Sequence, residues 1–287
     1  MRILSIAALQ TAPVARDPAA TLERLASRLP AVRDVVPGVN LIVLPEFHLS
    51  ALPSLLDESA DYAEEVAVEL PGALSERLGE IAREAGAWLV AGSVHERGAD
   101  GRIHNTVPVL SPTGELVATY RKIFPWQPHE SSVPGDRFVT FEIPDIGRIG
   151  LAVCYDGNFP EMFRQLAWLG AEVVIQPTLT TTSDRDAELV LARANAIANQ
   201  LYVVNLNAAA PTALGRSLIV DPEGLVRVQA AESEELLTDA LDLDAVTRVR
   251  ELGTAHVSRM WEQILRLGPE IELPMYGGAS VKPRPGR

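Results

Sequence analysis

The chain contains a single cysteine, Cys154, and its thiol is the side chain best suited to nucleophilic chemistry. It follows an apolar run, Ile149 to Val153, and precedes a segment rich in turn formers, YDGNFPE. This pattern predicts a strand, a sharp turn and the start of a helix. The thiol would then lie at the carboxyl edge of a sheet, where open α/β sheets usually bind ligands. An isolated cysteine after apolar residues is more often an inert core residue, so other residues must decide.

Two ionisable residues stand at similar strand ends, Glu46 in LIVLPEFHLS and Lys122 in TYRKIFPWQPHE. Each alone would be an ordinary charge at the end of a strand. Together with the thiol they meet the needs of amide cleavage, because a thiol with a free pKa of about 8.5 requires a base. The developing oxyanion requires a positive group. Glu46 is the candidate base and later acid, and Lys122 is the candidate that neutralises the oxyanion.

The loop after Lys122 supplies two further candidates. Trp126 stands between Pro125 and Pro128, which stiffen the loop and would hold an aromatic wall in place, and Glu130 follows four residues later. This chemistry requires neither a metal nor an organic cofactor. The five histidines are scattered, HExxH is absent, and one cysteine cannot form a CxxC pair. The sequence therefore argues against a zinc enzyme.

The composition limits the possible partners and compartments. A chain of 287 residues, 47% of them hydrophobic, suffices for one large domain or two small ones. The net charge of −13 argues against nucleic acid or an anionic membrane as the main partner, since phosphates are bound by Lys and Arg clusters. The opening MRILSIAALQT is typical of a first strand rather than a signal peptide, and no apolar run approaches the ~18 residues of a membrane span. One cysteine excludes an intramolecular disulfide, so we expect a reducing cytoplasm.

Hydrophobic periodicity predicts helices that alternate with strands, but predicted hairpins interrupt the alternation. We therefore expect an α/β protein in which two mixed sheets face each other with helices outside both. The chain after Pro269 is rich in Pro and Gly and is predicted to be an extended tail. The predicted helices are 17–36, 73–85, 160–169, 184–199 and 244–267, and the predicted strands are 3–9, 41–44, 88–94, 106–110, 116–120, 138–143, 149–153, 173–176, 201–207, 217–220, 225–228 and 236–241.

The order Glu, Lys, Cys in the contexts LPEF, YRK and VCYDGNFPE closely resembles the nitrilase superfamily of carbon–nitrogen hydrolases. The similarity extends from Ile3 to about Leu243, and the segments AGSVHE, HNT, PTGEL, PGDRF and ARANAIANQLYVVN also resemble that family. It implies a four-layer α-β-β-α sandwich with two mixed sheets of about six strands. We expect a single catalytic domain over residues 1–268 and a tail over 269–287.

Within the superfamily, RKIFPWQPHESSVPGD and YDGNFPE are most similar to aliphatic amidases and formamidases. The chain departs from those proteins at Phe47, where they usually carry tyrosine, and it lacks much of their long C-terminal extension. The resemblance implies that a small, short aliphatic amide is hydrolysed to a carboxylic acid and ammonia through a thioester. The implied catalytic residues are Glu46, Lys122, Cys154 and Glu130, with the N–H of Tyr155 as a second oxyanion donor. The expected substrate pocket is formed by Trp126, Phe47, Tyr155 and Thr178 to Thr182.

The sequence is also compatible with several alternatives. A histidine, His48, His104 or His129, could replace Glu46 as the base, as in Cys-His hydrolases. The same triad would serve an N-carbamoyl amino acid amidohydrolase, a nitrilase or an acyltransferase. From another class, the chain could be a non-catalytic binding protein that keeps the fold. The resemblance also implies a homodimer or a larger even-numbered assembly, with Phe159 to Leu169 and the chain after Asp244 at the interfaces.

Overall fold

The computed structural model describes residues 1–267, 271–277 and 279–280. Within 1–267, thirteen strands form two mixed sheets. They are β1 (Ile3–Gln10), β2 (Leu41–Val43), β3 (Trp88–Val90), β4 (Val94–Arg97), β5 (Ile103–Leu110), β6 (Leu116–Arg121), β7 (Thr140–Ile143), β8 (Gly147–Leu151), β9 (Val173–Thr178), β10 (Tyr202–Asn207), β11 (Leu218–Val220), β12 (Val226–Gln229) and β13 (Glu235–Asp242).

The helices in the described residues are α1 (Pro18–Arg28), α2 (Val32–Val35), α3 (Ala60–Val66), α4 (Ala73–Ala85), α5 (Pro160–Trp168), α6 (Arg185–Asn199), α7 (Asp244–Leu252) and α8 (Met260–Glu262). Short 3₁₀ turns cover Leu55–Asp57, Cys154–Asn158 and Pro274–Tyr276, and a π-helical turn covers Gln263–Leu267 after α8. The helix α1 begins where the sequence indicates, because the Asp17 side chain accepts a hydrogen bond from the Ala20 N–H.

The first sheet has the order β13-β1-β2-β3-β5-β4, with β6 also paired to β5, and the second has the order β12-β11-β10-β9-β8-β7. Strand β1 shows how the layers form. Its Leu4 and Ile6 belong to the cluster shared with the second sheet, whereas Ala7 and Leu9 belong to the cluster shared with α1 and α4. Alternate residues of a strand point to opposite faces, so both faces of this sheet are covered. Helices α5 and α6 pack on the second sheet, and the predicted α-β-β-α sandwich is confirmed.

Some elements differ from the sequence-based expectation. The first sheet has seven strands within the described residues rather than six. The predicted helix 17–36 is interrupted at Pro30, which cannot continue a helix, and the predicted helix 244–267 is interrupted after α7 at Gly253, with φ of 84°. The predicted strand 88–94 is interrupted at Gly92, where a Cβ would lie 1.9 Å from the Pro45 carbonyl oxygen. Helix α3 was not predicted.

The predicted C-terminal tail, 269–287, lies partly outside the described residues. In its described part, β14 (Glu272–Leu273) pairs antiparallel with β15 (Ala279–Ser280). None of the helices in the described part of the chain combines the length and the apolar character that crossing a bilayer demands.

Candidate active site

Three strand ends bring the predicted triad together at the boundary between the two sheets. Glu46 follows β2, Lys122 follows β6 and Cys154 follows β8. The first two strands belong to one sheet and the third to the other. The Glu46 N–H lies 3.4 Å from the Thr178 carbonyl oxygen at the end of β9, which links the two sheets at this point. All three residues of the triad are buried, with 1% of Glu46, none of Lys122 and 9% of Cys154 exposed.

The Lys122 ammonium lies between two buried carboxylates. Its Nζ donates to Glu46 Oε1 at 2.9 Å and to Glu130 Oε2 at 2.7 Å. The side-chain amide of Asn105, on β5, donates to Glu46 Oε1 at 2.8 Å and to Glu130 Oε1 at 2.9 Å. Glu130 is also anchored by the Trp126 N–H at 2.9 Å. An ammonium has three N–H donors, and two are used here. One donor of Lys122 is therefore available to another acceptor.

Burial governs the protonation of this group of side chains. It raises the pKa of the Cys154 thiol well above its ordinary value, and the Glu46 charge raises it further. Burial also raises the pKa of Glu46. The positive charge of Lys122 lowers this pKa, the negative charge of Glu130 raises it, and the net shift is upward. For Lys122, burial lowers the pKa, but the charges of Glu130 and Glu46 outweigh it and raise the pKa well above its ordinary value. The thiol is thus protonated at neutral pH while the lysine is charged.

The thiol is carried by a tight turn that other residues hold in place. Cys154 has φ of 44°, in the left-handed region, and its carbonyl accepts a 2.8 Å hydrogen bond from Gln176 Nε2. Asp156 accepts from the Val153 N–H at 2.8 Å and from the Tyr120 hydroxyl at 2.7 Å. Burial raises the pKa of Asp156 to about 6. This conformation is rare for a non-glycine residue and persists only when the surroundings fix it.

A hydroxyl on the far side of the thiol belongs to a second charged group. Thr180 Oγ1 lies 3.8 Å from Cys154 Sγ and donates to Glu188 Oε2 at 2.5 Å. Glu188 is neutralised by the fully buried guanidinium of Arg185, whose Nη1 lies 2.8 Å from Oε2. The Asn205 amide completes the set with a 2.9 Å bond to Glu188 Oε1. Because its one proton is directed at Glu188, the Thr180 hydroxyl faces the thiol as an acceptor.

A narrow cleft with about 40 Å³ of free space leads to the thiol. At roughly 10–15 Å³ for each water position, this is room for about three waters, comparable to a very small acyl group. The cleft is lined by Leu55, Trp126, Cys154, Tyr155, Asn158, Leu179, Thr180, Thr181, Thr182, Asp184, Ala187 and Glu188. Among the described residues that line it, none is a lysine, an arginine or a histidine.

The predicted pocket residues divide into two groups. Trp126, Tyr155 and the segment Thr180 to Thr182 line the cleft. Phe47 does not. It is fully buried, stacks on His95 with ring centroids 4.2 Å apart and packs beneath Leu55 and Leu179. Thr178 is also fully buried and is not part of the lining. These two residues therefore support the wall from behind rather than facing the cleft.

None of the three histidines considered as alternative bases is among the described residues that line the cleft at the thiol. His48 is buried without a hydrogen-bond partner among the described residues. His104 bonds through Nδ1 to the Val133 carbonyl at 3.2 Å, and the His129 ring packs on Trp126 with centroids 4.6 Å apart. Within the described residues, no group of three or more His, Cys, Asp or Glu side chains is arranged to hold a metal ion.

Several residues of the site had no assigned role in the sequence interpretation. The most informative is Asn105, which joins Glu46 to Glu130. The sequence feature that could have indicated its role is the polar run His104, Asn105 and Thr106 within the otherwise apolar strand β5. Polar side chains in a buried strand need hydrogen-bond partners. Gln176 in β9 and the pair Arg185 and Glu188 in α6 give a similar, weaker signal.

Comparison with known proteins decides the family. The family described as carbon–nitrogen hydrolase matches residues 5–251. The chain belongs to this family. It is 33% identical over 231 residues to the omega-amidase NIT2 of Mus musculus, covering 75% of this chain and 80% of that protein. It is 34% identical over 229 residues to the deaminated glutathione amidase of Bos taurus, covering 71% and 69%.

Solved structures give the same result. Saccharomyces cerevisiae Nit3, described as a member of branch 10 of the nitrilase superfamily, has a TM-score of 0.78 at 27% identity and covers 87% of this chain and 94% of its own. A cysteine-to-alanine mutant of the amidase from Nesterenkonia sp. AN1, in complex with butyramide, has a TM-score of 0.70 at 25% identity and covers 86% and 94%. The predicted superfamily and the predicted amidohydrolase class are thus confirmed. The aliphatic amidase branch stays a prediction.

Proposed function

We propose that this carbon–nitrogen hydrolase cleaves a small primary amide to a carboxylic acid and ammonia through a thioester on Cys154. The observation that carries the proposal is the position of Lys122. Its ammonium holds Glu46 and Glu130 together, and the charges of Glu46 and Lys122 both act on the Cys154 thiol. One N–H donor of Lys122 has no acceptor among the described residues. A charged, buried donor next to a nucleophile and its base is the arrangement that addition to a carbonyl requires.

In the first step, Glu46 takes the thiol proton while sulfur attacks the amide carbon. Glu46 Oε1 is occupied by Lys122 and Asn105, whereas Oε2 has no hydrogen-bond partner among the described residues. The free oxygen is the natural acceptor for the proton. The raised pKa of Glu46 makes it a stronger base than an ordinary carboxylate.

The negative charge then develops on the carbonyl oxygen of the substrate. The unused N–H of Lys122 and the backbone N–H of Tyr155 are the proposed donors. Tyr155 lies in the first turn of the 3₁₀ segment Cys154–Asn158, where backbone N–H groups lack partners within the helix. Each donor is expected to lower the barrier by about 3 kcal/mol.

Collapse of the tetrahedral adduct breaks the carbon–nitrogen bond. Glu46 returns its proton to the departing nitrogen, ammonia leaves and the acyl group remains on sulfur as a thioester. Water then adds to the thioester while Glu46 takes its proton. Collapse of this second adduct breaks the carbon–sulfur bond, Glu46 returns the proton to sulfur, and the carboxylic acid leaves. Glu130, fixed by three hydrogen bonds from Asn105, Lys122 and the Trp126 N–H, is suited to position the water or the substrate.

The cleft supports a short acyl group. The apolar part of its lining includes Leu55, Trp126 and Leu179, and its free space is about 40 Å³. The butyramide bound to the Nesterenkonia amidase is a short aliphatic amide, whereas the curated relatives are named omega-amidases and a deaminated glutathione amidase. We therefore propose short amides as substrates. The relatives do not agree on which chemical group ends the acyl chain.

The test is ammonia release from formamide, acetamide, propionamide, benzamide, an N-carbamoyl amino acid and a simple nitrile, with Cys154→Ala as the blank. Release from the short amides that depends on the thiol supports the proposal. Release only from the carbamoyl compound or the nitrile would contradict it and move the enzyme to another branch of the superfamily. Release of carboxylic acid slower than that of ammonia, when hydroxylamine is present, would indicate acyl transfer.

We also propose a homodimer or larger even-numbered assembly that works in the cytoplasm. Trp168 and Leu169, at the end of α5, are 43% and 41% exposed, and Trp168 stacks on Trp261 of α8 with centroids 6.4 Å apart. Large exposed apolar side chains next to each other commonly mark an interface. Light scattering should give an even multiple of 31.0 kDa. Trp168→Glu should lower that mass, and Val35→Glu, an exposed position on α2, should not.

A further inference from the structure

The charges around the cleft are unbalanced, and they limit what the far end of the substrate can carry. The cleft wall holds two carboxylates, Asp184 and Glu188, and two further buried carboxylates, Glu46 and Glu130, are held by Lys122. Two cations oppose these four carboxylates. Lys122 is shared between Glu46 and Glu130, and Arg185 is bound to Glu188.

Arg185 is not available to a substrate. It is fully buried, and besides Glu188 it donates to Asn205 Oδ1 at 2.7 Å, to the Gly215 carbonyl at 3.0 Å and to the Arg216 carbonyl at 2.9 Å. Its Nε, Nη1 and Nη2 atoms all donate to protein acceptors, and its charge is paired with Glu188. A substrate carboxylate would therefore enter a cleft that offers it no cationic partner among the described lining residues.

Asp184 is the carboxylate of the lining that no cation balances. It forms no ion pair with any described residue, and its only side-chain hydrogen bond is the one it accepts from the Thr182 hydroxyl. It stands at the N-cap of α6, yet its side chain makes no capping bond there. The next acidic residue of the helix, Asp186, differs in both respects, since it pairs with Arg216 at 2.7 Å and does not line the cleft.

We infer that Asp184 is a specificity-determining residue, and that the cleft accepts amides whose far end is neutral or carries an ammonium and disfavours those that carry a carboxylate. This inference rests on the proposed amide hydrolysis at Cys154 and names the substrate class within it. At a protein surface, two opposite charges a few ångströms apart attract each other enough to strengthen binding several-fold. Two like charges at the same distance weaken binding by a similar factor. The combined preference for ammonium over carboxylate is expected to be about tenfold or more.

Three amides of the same chain length test the inference. Butyramide ends in a methyl group, 3-aminopropanamide replaces it with an ammonium, and succinamate, the monoamide of succinic acid, replaces it with a carboxylate. In the wild-type enzyme, kcat/KM for 3-aminopropanamide should equal or exceed kcat/KM for butyramide. The value of kcat/KM for succinamate should be at least about tenfold lower than that for 3-aminopropanamide. Raising the ionic strength should narrow these ratios, because salt screens the exposed charge of Asp184.

Two variants separate the local effect from net charge. Asp184→Asn should lower the ratio of kcat/KM for 3-aminopropanamide over succinamate by about tenfold, with butyramide as the internal reference. Asp186→Asn removes the same charge from the same helix turn and should leave the ratio within about twofold, because Asp186 is outside the cleft and paired.

Hydrolysis of butyramide with equal or better hydrolysis of succinamate would overturn the charge selection alone. An unchanged ratio in Asp184→Asn would do the same. Thiol-dependent hydrolysis of none of the three would instead contradict the proposed function. Calorimetric binding of the three amides to Cys154→Ala then gives the second readout, in which tighter binding of 3-aminopropanamide than of succinamate supports the selection and the reverse order overturns it.

Discussion

The Nε2 amide of Gln176 donates a 2.8 Å hydrogen bond to the backbone carbonyl of Cys154, so a side chain of β9 fixes the turn that carries the thiol. The same amide limits the turn sterically, because a Cβ on Gly157 would lie 2.3 Å from Gln176 Nε2. The Asn195 side chain donates to the Gly157 carbonyl at 2.9 Å and holds the other end of this segment. The left-handed conformation of Cys154 is therefore determined by contacts from β9 and α6 rather than by the turn alone.

Gln176→Leu is expected to reduce kcat by about 10- to 100-fold, because small displacements of a nucleophile are costly to the rate. The side chain keeps its approximate volume but no longer holds the Cys154 carbonyl. Ammonia release under saturating amide measures the effect. Gln200→Leu is the matched control, since Gln200 is also fully buried but bonds to the Val249 and Ser258 carbonyls at 3.2 Å. Equal losses of kcat in the two variants would contradict a positioning role for Gln176.

Glu46→Gln is expected to reduce kcat by roughly 10²- to 10⁴-fold, the usual contribution of a general base. The amide has nearly the same shape as the carboxylate but cannot accept the thiol proton. Because burial raises the pKa of Cys154 well above its ordinary value, the thiol will not ionise unaided at neutral pH. Intact mass spectrometry after mixing with substrate should detect the acyl-enzyme in the wild type and not in the variant. Rapid, complete acylation of the variant would exclude Glu46 as the base.

Asn105→Leu is expected to lower both stability and kcat. Two buried carboxylates, Glu46 and Glu130, would each lose a hydrogen bond, at a cost of about 1–3 kcal/mol for each buried group left short of a partner. Circular dichroism in denaturant gives the loss of stability, and ammonia release gives the loss of kcat.

The control for Asn105 is the adjacent residue in β5. Thr106 is also fully buried, but its hydroxyl donates to Glu96 at 2.6 Å rather than to Glu46 or Glu130. Thr106→Val should therefore destabilise the protein by a similar order while kcat stays within a few-fold. If Thr106→Val impairs kcat as strongly as Asn105→Leu, the effect of Asn105 is general destabilisation and not the alignment of the two carboxylates.

The pH dependence of kcat/KM should show an acid limb with a midpoint above 4.5. Burial, with a contribution from the Glu130 charge, raises the folded-state pKa of Glu46 above its ordinary value of 4.5. As the pH falls through that raised pKa, the carboxylate takes up a proton and can no longer accept one from the thiol. Activity is therefore lost on the acid side.

Glu130→Gln supplies the sharper test of that limb. Removing the Glu130 charge removes one of the influences that raise the pKa of Glu46, so the acid limb of the remaining activity should move to lower pH. A limb at or below pH 4.5 in the wild type, or an unmoved limb in Glu130→Gln, would show that Glu46 does not control the profile.

The chemistry of the site could be predicted from the sequence because it depends on residue types at the ends of local elements. Apolar runs before Glu46 and Cys154, and the hairpin before Lys122, indicate strand ends without knowledge of the tertiary structure. The motifs around these residues identify the family, and the helices and strands follow mainly from local periodicity. The predicted elements were too long where they ran across Pro30 and Gly92, two residues that commonly interrupt helices and strands.

Only the tertiary structure decides which side chains meet across the two sheets. Asn105 bridges Glu46 and Glu130, and Gln176 holds Cys154, through contacts between distant segments. Likewise, Phe47 lies directly after Glu46 in the sequence, yet it packs behind the cleft wall against His95. The direction of a side chain at a strand end depends on the turn that follows and on the packing of the facing sheet. Those contacts join segments that are distant along the chain, so local patterns of residue type and spacing do not identify the partners.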